Sequence, residues 1–289
     1  MEIIMARGIL HRCCESRLIS STIASKFFVD SPFAQSLPFR NPIGSKSFLA
    51  TKAQCSANGA GFVVAEDSLY GQKQIISITP RLYQYILSNV REPPILKELR
   101  EETATMRGSQ MQTSPEQAQF LAMLVQILGA KRCIELGVYT GYSSLAVALA
   151  LPETGYLLAC ERDAKCLEIA KRYYERAGVS HKVNIMHGLA AEFLTSLIVR
   201  GEEGSYDFAF VDAEKRMNHE YYELLLQLIR VGGVIVIDNV LWHGKVCDPL
   251  VNDKKTESIR SFNRRIMDDK RISISMVPIG DGITICRKL

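Results

Sequence analysis

The chain has 289 residues, 47% of them hydrophobic and 23% charged, with a formal net charge of +4. That length and apolar share support one large α/β domain with a preface, and no apolar run of 18 or more residues marks a membrane span. The excess charge is local. Residues 1–55 hold Arg7, Arg12, Arg17, Lys26, Arg40, Lys46 and Lys52 against Glu2, Glu15 and Asp30, which leaves 28 of each sign in the rest; no basic patch with interleaved aromatics speaks for nucleic acid.

The eight cysteines (Cys13, Cys14, Cys55, Cys133, Cys160, Cys166, Cys247, Cys286) form no Cys-x-x-Cys pair, and no histidine cluster accompanies them. This speaks against zinc and for free thiols in a reducing compartment. Residues 1 to about 60 are basic, serine-rich and acid-poor, with Pro32, Pro38 and Pro42 and no sustained periodicity. They resemble a targeting segment, with a chloroplast address expected ahead of mitochondrion or cytoplasm. A tail with no address is the plain alternative. The folded domain is expected over 61–289.

From Thr79-Pro80, a cap and first-turn signal, Leu82, Tyr85, Ile86 and Val90 recur at helical spacing. Pro93-Pro94 end that helix and start another through Ile95, Leu96, Leu99 and Thr103. A third starts at Thr113-Ser114-Pro115-Glu116, after a polar stretch at 107–112, and runs through Phe120, Leu121, Leu124, Val125 and Leu128 to Gly129. These three helices are expected to pack on a sheet face and help to cover a ligand.

Strict alternation follows: strands at 132–136, 156–161, 183–187, 206–212 and 233–238, with helices at 141–150, 163–177, 190–200 and 217–230 between and after them. The runs YDFAFVD and GVIVIDN are continuously apolar, as in parallel strands covered on both faces. After a helix at 255–269, strands at 271–278 and 282–288 flank the turn Ile279-Gly280-Asp281 and form an antiparallel hairpin. The fold expected is α/β: a mostly parallel seven-stranded sheet with a terminal antiparallel hairpin and N-terminal helices.

The stretch CIELGVYTGYSSLA, residues 133–146, is the first strand, glycine turn and helix. Its spacing Gly137-x-x-x-Gly141 is not the dinucleotide fingerprint, and Glu135 would repel a diphosphate. An acid there suits a cationic ligand without phosphate, such as S-adenosylmethionine. A second acid, Glu161, ends the next strand where a doubly wound fold grips ribose hydroxyls. The other strand ends carry His187-Gly188, Asp212 and Asp238-Asn239. Two carboxylates and an amide carbonyl at neighbouring strand ends form a hard oxygen set suited to Mg²⁺, Mn²⁺ or Ca²⁺. Lys215, three residues after Asp212, can act as a general base beside a cation, with a solvated surface lysine as the plain alternative.

The runs CIELGVYTGYSSLAVALALPETG, YDFAFVDAEK, VGGVIVIDNVLWHGKV and PIGDGITICRK resemble the metal-dependent O-methyltransferases of the caffeoyl-CoA and catechol O-methyltransferase group, over about 73–289. The resemblance implies a class I methyltransferase (Rossmann-like) fold, S-adenosyl-L-methionine, a divalent cation usually taken to be Mg²⁺, and a homodimer. It assigns the metal to Asp212, Asp238 and Asn239, and the base to Lys215. Cofactor contacts fall on Thr113, Glu135, Gly137, Val138, Ser143, Glu161, Ala190 and Glu214. Lys73, Asp212 and His243 match substrate-side positions, and Trp242 offers a face for an aromatic ring.

Three departures bear on substrate. Glu161 and Glu214 stand where the plant enzymes usually have Asp, and His243 replaces a usual Asn. The segment 243–262 is short and has no tyrosine, unlike the insertion that holds acyl-CoA. The activity expected is cation-dependent methylation of one hydroxyl of a vicinal-diol phenolic: a flavonoid, a hydroxycinnamate or its CoA ester. The alternatives are an NAD(P)-binding Rossmann-type oxidoreductase and a cofactor-binding protein without catalysis.

Overall fold

The computed structural model describes residues 62–64 and 74–289. The expected targeting segment and Lys73 lie outside them.

Three proline-started helices open the described chain: α1 (Pro80–Ser88), α2 (Pro94–Ala104) and α3 (Pro115–Leu128). Each places a proline at its first turn, where the missing N–H costs no intrahelical bond. Thr79 caps α1 by accepting Leu82 N–H at 3.2 Å. Gly129 ends α3 in the left-handed conformation. Ahead of them, β1 (Phe62–Val64) and β2 (Gln74–Ile76) pair antiparallel, a ribbon that the sequence pattern did not reveal.

The alternating region folds as β3 (Arg132–Leu136), α4 (Tyr142–Ala150), β4 (Tyr156–Glu161), α5 (Ala164–Arg176), β5 (Val183–His187), α6 (Ala190–Val199), β6 (Tyr206–Val211), α7 (Asn218–Leu228) and β7 (Ile229–Asp238). Then come α8 (Lys254–Asp268), β8 (Ile272–Val277) and β9 (Ile283–Lys288). One boundary differs materially: α7 stops at Leu228 and β7 begins at once at Ile229, without the expected break before residue 233. The sheet order is β5-β4-β3-β6-β7-β9-β8, parallel from β5 to β7, with β9 antiparallel to both neighbours.

Alternation along the strands feeds two cores. Cys133, Phe208, Phe210, Val234 and Val236 join Leu99, Leu121 and Val125 of α2 and α3 and Leu145 of α4 on one face. Ile134, Ala209, Val211, Ile235 and Ile237 join Leu194, Leu225 and Phe262 of α6, α7 and α8 on the other. So α2 and α3 do contribute to the sheet-face core. α1 does not: it has no buried residue, and it leans on α3 through Tyr83 O–H to the Glu116 carboxylate at 3.2 Å.

The strand order reverses between β3 and β6, where an open α/β sheet places its ligand. There the chains close in tightly. Gly137 N–H donates to Cys160 C=O at 2.9 Å, and Asp212 N–H to Leu136 C=O at 2.8 Å. Gly137 has φ +88°, and a Cβ on it would lie 2.4 Å from the Asp212 carbonyl oxygen. Only glycine fits both the conformation and the space. Gly178, at φ +70°, faces open space, so Gly178→Ala isolates the conformational cost, about 1 kcal/mol. We expect Gly137→Ala to cost at least twice as much in denaturant unfolding; equal costs would mean that the approach to Asp212 relaxes freely.

Candidate active site

A cleft of about 1240 Å³ opens at the carboxyl ends of β3, β4, β6 and β7. Pockets for a single small ligand run to about 1,000 Å³, so this one has room for two reactants side by side. Of the residues singled out in the sequence, Thr113, Gly137, Val138, Ser143, Glu161, Ala190, Asp212, Glu214, Lys215, Asp238, Asn239, Trp242 and His243 all line it. Glu135 does not: it stands behind the wall, fully buried.

Glu135 accepts the Ser143 hydroxyl at 2.6 Å through Oε1, while its Oε2 is buried with no partner. Burial is the main cause that pushes its pKa up to about 8, with the charges of Asp212 and Glu161 adding to it and Ser143 opposing. A carboxylate with an orphaned oxygen and no countercharge fits a site completed by a cationic ligand.

Glu161 is held differently. Its Oε2 accepts the Val138 and Tyr139 amides at 3.0 and 2.8 Å, and its Oε1 accepts those of Arg162 and Asp163 at 2.8 and 2.9 Å. The acid is thereby locked at the β4 end and ties it to the glycine turn. A ribose hydroxyl reaching it would share or displace amide bonds. Glu214 is paired through Oε1 with Arg216 Nε at 3.1 Å, which holds its carboxyl below the usual range.

On the other side of Gly137, Asp212 Oδ1 accepts Lys215 Nζ at 2.5 Å. Asp238 lies 4% exposed at the β7 end and accepts the Asn239 amide at 2.7 Å. Burial raises both aspartates. The negative charge of Asp212 lifts Asp238 further, to about 7, while Lys215 pulls both down. Asn239 turns the chain there with φ +58°. Among the described residues no three His, Cys, Asp or Glu side chains come together to hold a metal. A cation here would rest on two carboxylates and one amide. Two desolvated carboxylates facing a cleft, with a lysine held on one of them, fit that role.

Trp242 and His243, both with positive φ, form the outer wall, and Lys255 Nζ stands 5.3 Å from the Trp242 ring centroid. The sequence reading missed Gln117, Tyr139, Tyr142 and Asp281 as lining residues, and treated the stretch from Arg107 to Gln112 as a spacer. That stretch includes a short 3₁₀ turn, Ser109–Met111, against the cleft. Gln117 was detectable only as a polar residue on the otherwise apolar face of α3, where it is 3% exposed.

With this geometry in hand, comparison gives a consistent result. Residues 87–289 match the family model described as O-methyltransferase. The chain is 42% identical over 243 residues to caffeoyl-CoA O-methyltransferase 1 of Zea mays, covering 81% of this chain and 94% of that protein. It is 45% identical over 221 residues to tricin synthase 1 of Oryza sativa subsp. japonica, covering 72% and 88%. A crystal structure of the O-methyltransferase from Bacillus cereus in complex with SAH superposes with a TM-score of 0.65 at 32% identity, covering 71% of this chain and 96% of that one.

Burial fixes the sign of one pH effect. The folded protein keeps Glu135 protonated up to about pH 8, whereas the unfolded chain releases that proton near pH 4.5, so stability falls as pH rises between the two. Glu135→Gln removes this dependence. In ligand-free protein it should match wild type below pH 4.5 and exceed it by on the order of 4 kcal/mol at pH 8. Parallel stability–pH curves for the two proteins would contradict this.

Proposed function

The chain belongs to the O-methyltransferase family, and on that premise we propose that it transfers a methyl group from S-adenosyl-L-methionine to one hydroxyl of a vicinal-diol phenolic. What supports this reading is two sets of acids on the two sides of Gly137: Glu161 with the buried Glu135 behind the wall, assigned to the cofactor, and Asp212 with Asp238, assigned to the substrate side. The oxidoreductase alternative finds no support in the family match, and the cleft has no pyrophosphate fingerprint.

S-adenosylmethionine would supply the electrophilic methyl group. The unpartnered oxygen of Glu135 favours positive charge nearby, and Glu161 offers its rigid carboxylate to the ribose edge. Thr113, Val138, Ser143 and Ala190 shape the walls around the adenosyl and amino-acid parts. A divalent cation, Mg²⁺ being the expected one, would be held by Asp212, Asp238 and Asn239 and would lower the pKa of a chelated phenol. Lys215 Nζ, as the free amine, would accept the phenolic proton; in the ligand-free protein it donates to Asp212, so it serves only once that bond and its extra proton are given up. Trp242 covers the ring, with His243 toward its outer substituents. Holding the two reactants in one cleft supplies much of the rate through alignment. The composition of residues 1–60 supports import into the chloroplast, and exposed Met123 and Ile127 on α3 suit a homodimer contact.

The decisive experiment supplies the full chain with S-adenosylmethionine, Mg²⁺ and either caffeate or coumarate. Caffeate should give a monomethyl product that a chelator abolishes and Mg²⁺ restores, and coumarate, which cannot chelate, should be far poorer. Asp238→Ala should lose about a thousandfold or more in kcat/KM with cofactor affinity little changed. Equal turnover of the two phenols, or full activity in chelator, would contradict the reading.

Substrate range gives a second test. Between His243 and Phe262 the chain offers Lys245, Lys254 and Lys255 but no tyrosine, tryptophan or phenylalanine to grip a distant nucleotide. Contacts that are not made contribute nothing to transition-state stabilisation. Caffeate should therefore be used within about tenfold of caffeoyl-CoA in kcat/KM. A thousandfold preference for the CoA ester would contradict this.

A further inference from the structure

The outer wall of the cleft is built unlike the rest of the molecule. From residue 241 to residue 255 no side chain is buried, so hydrophobic packing cannot be what shapes this segment. Yet its backbone is specific: Trp242, His243 and Gly244 follow one another at φ +48°, +53° and +78°. Two successive bulky residues in the left-handed region are unfavourable and persist only where the surroundings impose them.

Two charged side chains outside the segment do the imposing. Asp281, in the turn between β8 and β9, accepts the His243 amide at 2.6 Å through Oδ1. Its buried Oδ2 has no hydrogen-bond partner, and the His243 imidazole lies 3.6 Å away. The same turn continues the docking, with Leu241 N–H to Asp281 C=O and Val240 N–H to Gly282 C=O, each at 3.0 Å. Gly282 makes that approach possible, since a Cβ there would lie 2.3 Å from Leu241 Cγ. At the far end, Arg260 of α8 donates to four backbone carbonyls: Val246 and Val251 at 2.8 Å, Lys245 at 2.8 Å, and Asp248. Among the described residues no carboxylate pairs with it; its guanidinium serves the segment's backbone.

We propose that Asp281 and Arg260 are positioning residues for substrate selection. Together they hold segment 241–251 in one shape before any ligand arrives, and so set the pose of Trp242 over the cleft. A wall prepared in this way costs no ordering when substrate binds. Release of either anchor frees the wall to sample other shapes, which weakens substrate binding and leaves the cofactor side, built on β3 and β4, untouched. Substrate selection here rests on the O-methyltransfer reading; the conformational claim does not.

Trp242 is the only tryptophan in the chain, so its fluorescence reports this wall alone. The experiment compares wild type with Asp281→Ala, Arg260→Met and the conservative Asp281→Asn, which keeps an acceptor for the His243 amide. In ligand-free protein, the acrylamide quenching constant of Trp242 should rise at least twofold in Asp281→Ala and Arg260→Met and stay near wild type in Asp281→Asn. With caffeate, KM should rise tenfold or more in the first two, with kcat within threefold and S-adenosylmethionine affinity within twofold of wild type. Unchanged quenching in both variants overturns the proposal. So does a joint loss of kcat, cofactor affinity and thermal stability that Asp281→Asn does not rescue, which would mark a merely structural role. If wild type methylates no catechol, the reaction reading falls, and quenching alone still decides whether the wall is held as proposed.

Discussion

The site depends on one electrostatic constraint: three acids on three adjacent strand ends, β3, β6 and β7, with a single lysine among them. Glu135 is wholly buried, and Asp238 nearly so. Desolvation is the leading cause of the raised pKa at Glu135, Asp212 and Asp238 alike. Lys215, from its place on Asp212, offsets only part of the cost of burying these acids. A purely structural core would not retain such a set, because apolar residues of similar volume pack there without the penalty. Acids kept in this state fit the proposed reading, in which cationic partners complete the site.

Topology explains why the acids do not merge into one cluster. Gly137 sits at the switch between β3 and β6, pressed against the Asp212 backbone, with Glu161 on one side of it in the cleft and Asp212 and Asp238 on the other. Toward β4, the Glu161 carboxylate is threaded by four backbone amides, which makes this half rigid. Toward β7 and the β8–β9 turn, the wall is a segment without buried side chains, held by polar anchors. One half of the cleft is thus fixed by the sheet, whereas the shape of the other rests on a few replaceable contacts. That division suits an enzyme family with a shared cofactor and varied acceptors.

Much of this was legible in the sequence because its signals are local. Proline–proline and threonine–proline steps mark the helix starts, continuous apolar runs mark strands covered on both faces, and acids closing those runs mark the cleft. What could not be read depends on chain reversals and on depth. Asp281 lies in a turn whose residues look like turn formers and nothing more, and its role appears only once that turn docks on 240–243. Gln117 falls on the apolar face of α3, but helical spacing alone does not show that this face meets a cleft. The sequence marks Glu135 as an acid at the end of the first strand facing a cofactor, but periodicity cannot tell a residue in the wall from one behind it. The antiparallel ribbon of β1 and β2 is only three residues per strand, too short for alternation to register.

On the reading proposed above, the carboxylates at the β6 and β7 ends exist to hold a cation. The most direct test is a titration of the purified chain with Mn²⁺, followed by electron paramagnetic resonance. Wild type should bind one ion per chain that Mg²⁺ displaces, and Asp212→Asn and Asp238→Asn should each abolish that binding. Absence of bound Mn²⁺ in wild type, or binding that survives both substitutions, would contradict the account.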